Sequence, residues 1–347
     1  MAPPRHPRRR LVSNILLTVL PAVVLFVAGG LSDTPLGLLV VMAEPLLLAL
    51  GLTITAWALL ERHTLLAGAM AASLVAGGFS LHEPRFELDP LPPGPTWLRE
   101  LRGCAMLAKP AKGPVRLVTW TVDGTAGVSH GVDAILSIKP DIVVLLGTTD
   151  PDIGGRIQEA LEGEAKFVRS GTESGGMLAV VRGSFQYCGG DTDEWHLDLP
   201  GSNDATAMIG FPHVTEIGVV PLMMTRLAQM SGPQDWLSWS ARVVEGATVS
   251  GQAAQTIGSR SLVLLGDLQA PPTALALTSP LKASGLAWAR SGPNWPTQLY
   301  GMPFWTQHAR DQVWTGPDWH VQSSRVLPQP QQIRAPVVVD LIPNQGQ

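Results

Sequence analysis

The stretch Ser261-Leu262-Val263-Leu264-Leu265-Gly266-Asp267-Leu268-Gln269 decides the fold class of this chain. Its first half is a short apolar run of the kind that forms a buried strand, and Gly266 and Asp267 then mark its end. Other short runs of this kind recur along the chain and are separated by turns, whereas long helical patterns are few. The pattern predicts packed sheets with helices outside them, which is an α/β fold.

The same criteria predict seven strands and one short helix in this part of the chain. The helix is expected over residues 131–138. The strands are expected over residues 115–120, 141–146, 177–181, 216–220, 261–265, 311–314 and 335–341.

The amino-terminal part is different, because it consists of three mostly apolar runs. They cover residues 11–30, 35–60 and 64–80. A membrane helix needs about 20 such residues, and the third run is shorter than that. We predict three transmembrane helices over residues 11–81, followed by a proline-rich spacer over residues 82–97 and one domain over residues 98–347.

The orientation follows from residues 1–10, a basic tail that contains Arg5, Arg8, Arg9 and Arg10. Basic residues beside the first membrane helix favour the cytoplasmic side, so three spans place residues 98–347 outside the cytoplasm. A cleaved signal peptide is the alternative, but two further apolar runs follow the first and favour a retained anchor.

Composition and cysteine content limit the functions of the domain. The chain has 45% hydrophobic and 15% charged residues and a formal net charge of -4, so we expect no nucleic-acid partner. Its two cysteines, Cys104 and Cys188, both fall in the part expected outside the cytoplasm. A disulfide between them is permitted there, and two separate buried thiols are the alternative.

Short motifs stand at the strand ends in a fixed order. They are Trp120-Thr121, Pro140-Asp141 through Leu146-Gly147-Thr148, Gly266-Asp267-Leu268-Gln269, Arg310-Asp311-Gln312 and Gln332-Ile333-Arg334-Ala335-Pro336. This order resembles the endonuclease/exonuclease/phosphatase superfamily, whose members are four-layered α/β sandwiches and metal-dependent phosphoesterases. Together with three amino-terminal spans it is similar to a membrane-anchored bacterial subgroup, which implies the bacterial cytoplasmic membrane with a periplasmic or extracellular domain.

Most positions that carry the chemistry in that superfamily hold other side chains here. The resemblance places Thr148 where the metal-binding Glu is expected, and Thr121 and Gln269 where two Asn are expected. The last His becomes Arg334 and the Asp before it becomes Ile333. A neutral hydroxyl is not the usual Mg²⁺ ligand, and arginine cannot act as a general base. The further His expected in the middle of the domain is also missing.

Two carboxylates remain at positions where the superfamily keeps them, namely Asp267 and Asp311. They are the residual candidate catalytic residues, although an Asp at a strand end often only caps a turn. Asp123 and Asp150 lie near strand ends and are candidates for rebuilding a metal site with Asp267, but surface turns explain them as well. We therefore predict no metal site, and Mg²⁺ only if the chain is an active enzyme.

Two features indicate a binding role. Trp236 and Trp239 are three residues apart at a predicted loop-to-helix junction, so both rings lie on one face and form a candidate partner surface. Glu44 lies within an apolar run, where an ionisable group usually faces a partner or a protein interior. Core packing of the tryptophans and a protonated or snorkelling Glu44 are the alternatives.

These observations predict a catalytically degenerate phosphoesterase-like protein that is an accessory or stabilising subunit of a larger membrane complex. An energy-transducing assembly, respiratory or photosynthetic, is one candidate for that complex. Two other functions remain open. One is an active metal-dependent phosphoesterase or pyrophosphatase at the outer membrane surface, and the other is an extracytoplasmic receptor for a lipid or envelope ligand.

Overall fold

The computed structural model describes a large part of the carboxyl-terminal domain. The described residues are 91, 111–122, 128–148, 151–168, 176–185, 195–198, 206–227, 236–258, 260–270, 272, 274–291, 309–328 and 334–344. Apart from residues 274–276, they belong to one compact unit formed by Leu88–Pro272, Leu277–Met302 and Gln307–Gln347. In these ranges no helix is long and apolar enough to cross a membrane. The three predicted spans, Glu44, Cys104 and Cys188 lie outside the described residues, as do Asp123 and Asp150.

Fifteen strands and four helices make up the described elements. The helices are α1 (Val128–Ser137), α2 (Pro151–Leu161), α3 (Trp236–Ile257) and α4 (Leu275–Ala283). The strands are β1 (Val115–Thr121), β2 (Ile142–Thr148), β3 (Glu164–Val168), β4 (Gly176–Val181), β5 (Gly183–Phe185), β6 (Trp195–Asp198), β7 (Thr206–Gly210), β8 (Pro212–Val214), β9 (Gly218–Val219), β10 (Leu222–Arg226), β11 (Val263–Asp267), β12 (Ala287–Trp288), β13 (Asp311–Thr315), β14 (Trp319–Val326) and β15 (Val337–Pro343).

Two six-stranded sheets organise the domain. Sheet I has the order β14-β15-β1-β2-β4-β3, and sheet II has the order β12-β13-β11-β10-β7-β6. Each sheet contains one parallel pair joined by a helix, β1-α1-β2 in sheet I and β10-α3-β11 in sheet II. Parallel strands end at the same edge of their sheet, so each pair brings its carboxyl-terminal residues together.

The main core lies between the two sheets. It includes Leu117 and Val144 from sheet I and Met224, Leu265 and Val313 from sheet II, all at most 1% exposed. These residues come from every second position of their strands, as expected when one face of a strand packs on the opposite sheet.

A second apolar cluster lies between the other face of sheet I and the two helices α1 and α2. It contains Trp120, Val132, Ile157 and Leu178. The outer face of sheet II is also covered, since Leu264 there is fully buried. The central strands of both sheets are therefore buried on both faces, and the predicted α/β sandwich is confirmed.

The predicted strands over 115–120, 141–146, 177–181, 261–265, 311–314 and 335–341 correspond to β1, β2, β4, β11, β13 and β15. The strand predicted over residues 216–220 is confirmed only at Gly218 and Val219, which form β9. Glu216 has a positive φ of 68° and belongs to the turn of a small hairpin formed by β8 and β9. The strand that enters sheet II begins later, at Leu222.

Candidate functional site

Four strand ends meet at one place in the domain. Thr121 ends β1, Asp267 ends β11, Asp311 begins β13, and Arg334 lies just before β15. Asp267 and Asp311 are directly paired across neighbouring antiparallel strands of sheet II. The predicted residues are thus brought together by the register of the strands.

Gly266 allows β11 to lie close to its neighbour at this point. Its φ is +150°, and a Cβ added there would lie 1.7 Å from the backbone oxygen of Thr225. Glycine is therefore required before Asp267, because any side chain would push β10 and β11 apart.

Asp311 is bound by Thr121 from the opposite sheet. The backbone N–H of Thr121 donates to Asp311 Oδ2 at 3.0 Å, and its hydroxyl donates to Oδ1 at 2.6 Å. Thr121 stands where the superfamily resemblance expects a phosphate-positioning Asn. Here the side chain is used to join sheet I to sheet II.

Asp267 is surrounded by donors. The backbone N–H of Gln269 lies 3.3 Å from Asp267 Oδ1, and the side-chain amide of Gln269 donates to Oδ2. Arg334 Nη1 also donates to Oδ2, and Arg310 Nε lies 3.8 Å from Oδ1. Gln269 has a positive φ of 57°, which turns its side chain back toward Asp267.

Arg334 connects the two carboxylates. The Nη1 atom that donates to Asp267 also lies 3.5 Å from Asp311 Oδ1. Its backbone oxygen accepts a hydrogen bond of 3.1 Å from the indole N–H of Trp120, which fixes the main chain before β15. Arginine stays protonated, so this group contributes charge and donors but cannot accept a proton.

All of these side chains are removed from solvent. Thr121, Asp267 and Asp311 are 0% exposed, and Gln269 and Arg334 are 1% exposed. A substrate would have to displace the Arg334 pairing before it reached either carboxylate. We call Thr121, Asp267, Gln269, Asp311 and Arg334 the closed cluster.

The two carboxylates differ in their acidity. Burial raises the pKa of Asp311 to about 6, and the negative charge of Asp267 acts in the same direction, although Arg334 and Thr121 oppose both. Burial alone would also raise the pKa of Asp267, but the charges of Arg334 and Arg310 hold it below its ordinary value. Asp267 is therefore the member of the pair that carries the stable negative charge.

Two arginines at this edge take part in the site although no sequence motif predicts a role for them. Arg310 precedes Asp311, and Arg226 ends β10 directly beside Asp267 in the register of sheet II. Both Nη atoms of Arg226 lie 3.4 Å from the position of a Cβ added to Gly147, so the guanidinium covers the end of β2. A correct boundary for β10 would have placed Arg226 beside Asp267, since parallel neighbours end together.

A divalent metal ion does not fit this donor set. The described residues contain no group of three or more His, Cys, Asp or Glu side chains arranged to hold one. Both carboxylates are already paired with Arg334, and Arg226 and Arg310 add positive charge around Asp267. Mg²⁺ needs negatively charged or carbonyl oxygens, and the cluster offers its oxygens to guanidinium groups instead.

The side chains of the partner-surface candidates Trp236 and Trp239, and the whole of Glu44, lie outside what the structure describes. Helix α3 begins at Trp236, in agreement with the predicted loop-to-helix junction, and Trp239 lies in its first turn. The roles of Trp236, Trp239 and Glu44 stay predictions, as does the pairing of Cys104 with Cys188.

No protein-family model matches the sequence, and no curated protein matches it. Solved structures do match. An endonuclease/exonuclease/phosphatase from Beutenbergia cavernae is 17% identical, with a TM-score of 0.53 over 67% of this chain and 72% of that chain. A humanized D. rerio TDP2 is 12% identical, with a TM-score of 0.50 over 66% of this chain and 98% of that chain. D. rerio TDP2 with a single-strand DNA product also matches at 12% identity and a TM-score of 0.50, over the same shares of the two chains. At these identities the likeness establishes the fold, so the domain has the endonuclease/exonuclease/phosphatase fold.

Proposed function

We propose that this chain, whose carboxyl-terminal domain has the endonuclease/exonuclease/phosphatase fold, is a catalytically degenerate, membrane-anchored accessory subunit of a larger membrane complex. The observation that carries the proposal is the pairing of Arg334 with both Asp267 and Asp311 in a cluster closed to solvent. The carboxylates that such a domain needs for chemistry are used here to hold the protein together.

The chemistry of the cluster supports the loss of activity. A positioned acid or base contributes typically ~10²–10⁴ in rate. Arg334 replaces the expected base, and Thr121 donates to Asp311 instead of facing a substrate. Since the oxygens of both Asp residues accept hydrogen bonds from within the cluster, neither is placed to hold a metal-bound phosphate ester.

The membrane anchor and the partner are inferred from sequence. The apolar runs over residues 11–30, 35–60 and 64–80 and the basic tail favour a retained anchor in a bacterial cytoplasmic membrane, with the domain outside the cytoplasm. An acidic residue within an anchor, Glu44, favours a protein neighbour in the bilayer. Trp236 and Trp239 supply an aromatic pair for a partner outside it.

The first experiment is purification of the full chain from its native membranes in mild detergent, followed by size analysis and mass spectrometry. We expect reproducible stoichiometric co-purification with one membrane complex. Glu44→Gln should weaken the association, whereas the matched Glu61→Gln, at a predicted break between apolar runs, should not. A monodisperse chain without any partner would contradict the accessory role, and a bound small molecule would favour a receptor.

An active hydrolase is the second candidate, because the register of sheet II brings Asp267 and Asp311 side by side. A turnover assay on phosphate esters and pyrophosphates with Mg²⁺ or Mn²⁺ distinguishes the active hydrolase from the degenerate accessory subunit. We expect no more turnover from the natural chain than from Asp267→Asn. Metal-dependent turnover that Asp267→Asn abolishes would establish the hydrolase and reject the degenerate site.

A further inference from the structure

Arg334 has a position that allows it to connect the two sheets. It precedes β15 of sheet I, while the carboxylates it contacts belong to β11 and β13 of sheet II. Thr121 of sheet I makes a second link across the same space through Asp311. These two links lie at one edge of the core that fills the space between the sheets.

The two aspartates require a cation at this place. Both are fully buried, and a buried charge is strongly unfavourable unless it is paired and hydrogen-bonded. Asp267 and Asp311 also face each other in adjacent strands, so their charges repel. A single Nη1 atom of Arg334 lies within reach of both carboxylates.

The position of this cation is fixed by its surroundings. The backbone oxygen of Arg334 accepts a hydrogen bond from Trp120, whose ring is fully buried against α1. Arg226 and Arg310 add positive charge on the other sides of Asp267. The cluster is thus supplied with positive charge by the chain itself.

We propose that the guanidinium of Arg334 is a built-in structural cation that holds Asp267 and Asp311 together and ties sheet I to sheet II. It removes the need for the divalent metal ion that the fold family implies at such carboxylates. The inference concerns the stability of the domain and is independent of the accessory role, because it holds whether or not the chain has a membrane partner.

A double-mutant cycle on the full chain in detergent tests the pairing. The variants are Arg334→Met, Asp267→Asn and the combination of both, and the measurement is thermal unfolding. Breaking one partner of a buried pair should lower Tm by roughly 10 °C, whereas removing both charges should restore part of that loss. A double variant no more stable than Arg334→Met alone would overturn the proposal, and one that folds where Arg334→Met does not would support it.

Chemical rescue tests the identity of the cation. In Arg334→Ala the side chain is removed and space is left, so millimolar methylguanidinium should raise Tm. Urea, a neutral planar molecule of similar shape, should not. The matched Arg334→Met fills the same space and should respond to neither. Equal responses of Arg334→Ala and Arg334→Met, or no response at all from a folded Arg334→Ala, would contradict the proposal.

Metal addition completes the test. Millimolar Mg²⁺ or Mn²⁺ should change the Tm of the natural chain no more than that of Asp267→Asn, because Arg334 already occupies both carboxylates. A metal-dependent rise in Tm that is present in the natural chain and lost in Asp267→Asn would show that the cluster holds a metal ion, and would overturn the inference.

Discussion

A buried carboxylate beside an arginine has a different chemistry from one that faces a substrate. Asp267 and Asp311 share the guanidinium of Arg334, yet only Asp267 gains the full benefit of the surrounding positive charge. Asp311 keeps a proton to a higher pH than an ordinary carboxyl group, since burial raises its pKa to about 6. The two residues therefore contribute to the stability of the folded state over different ranges of pH.

Because of Asp311, the free energy of unfolding of the domain should depend on pH between about 4 and 6. A carboxyl group whose folded pKa lies above its unfolded value contributes stability at low pH and loses it as pH rises through the folded pKa. The pKa of Asp311 rises from its ordinary value of 3.8 to about 6, so the natural chain should lose stability relative to Asp311→Asn across this window. Denaturant unfolding at four pH values from about 4.5 to 7.5, followed by tryptophan fluorescence, measures the difference.

The control for this prediction is Asp133→Asn, which changes an exposed carboxylate paired with Arg156 at 2.9 Å. Exposed ion pairs of this kind contribute little to stability. The free energy of unfolding of Asp133→Asn should change with pH in the same way as that of the natural chain. If the free energy of unfolding of Asp311→Asn also follows that of the natural chain at every pH, the proton on Asp311 does not affect folding.

The closed cluster shows which part of a site is readable from sequence. The resemblance placed Asp267, Asp311 and Arg334 at strand ends, and the structure brings these three together. The pairing of these three side chains with one another could not be predicted from the sequence, because it depends on the register of three strands from two sheets. Arg226 was missed for the same reason: it becomes relevant only once β10 is known to end beside Asp267.

At the scale of elements, buried strands were predictable and polar elements were not. The apolar runs of β2 and β11 are covered on both faces, so they are continuous in sequence. Strand β14 lies at the edge of sheet I, and its sequence Trp-His-Val-Gln-Ser-Ser-Arg-Val carries a weaker signal. Helix α2 contains two adjacent glycines, which weaken the hydrophobic periodicity that predicts a helix.

Helix packing against the site leads to a prediction on two glycines. Gly131 of α1 faces Trp120, and a Cβ at this position would lie 2.3 Å from the ring. Gly155 of α2 is exposed, with nothing within 4 Å of an added Cβ. Gly155→Ala should stabilise the domain by about 0.5–1 kcal/mol through helix propensity. Gly131→Ala should destabilise it by roughly 1–3 kcal/mol through overpacking, despite the same gain in propensity.

Denaturant unfolding of both variants checks this prediction, and each serves as the control of the other. Trp120 also donates to the backbone oxygen of Arg334, so Gly131→Ala should disturb the closed cluster as well as the helix. Equal stability of the two variants would mean that Trp120 moves aside freely, and that α1 does not hold the cluster in place.

At the scale of the whole chain, the charge and apolar patterns predict a defined topology. The basic tail should stay in the cytoplasm, and the runs over residues 11–30, 35–60 and 64–80 should cross the membrane in turn. An active hydrolase on cytoplasmic nucleotides would need the domain on the opposite side. The position of residues 98–347 therefore bears directly on which substrates or partners the domain meets.

Fusions to alkaline phosphatase, which is active only outside the cytoplasm, measure this topology. We expect activity after residue 34, none after residue 63 and activity again after residue 97, because each predicted span moves the chain to the other side. β-Galactosidase fusions at the same positions should give the reverse pattern and serve as the control. An inactive phosphatase fusion after residue 97 together with an active one after residue 34 would show that one run fails to cross. The shortest run, residues 64–80, is the first to examine in that case, and a domain on the cytoplasmic side would require a cytoplasmic partner.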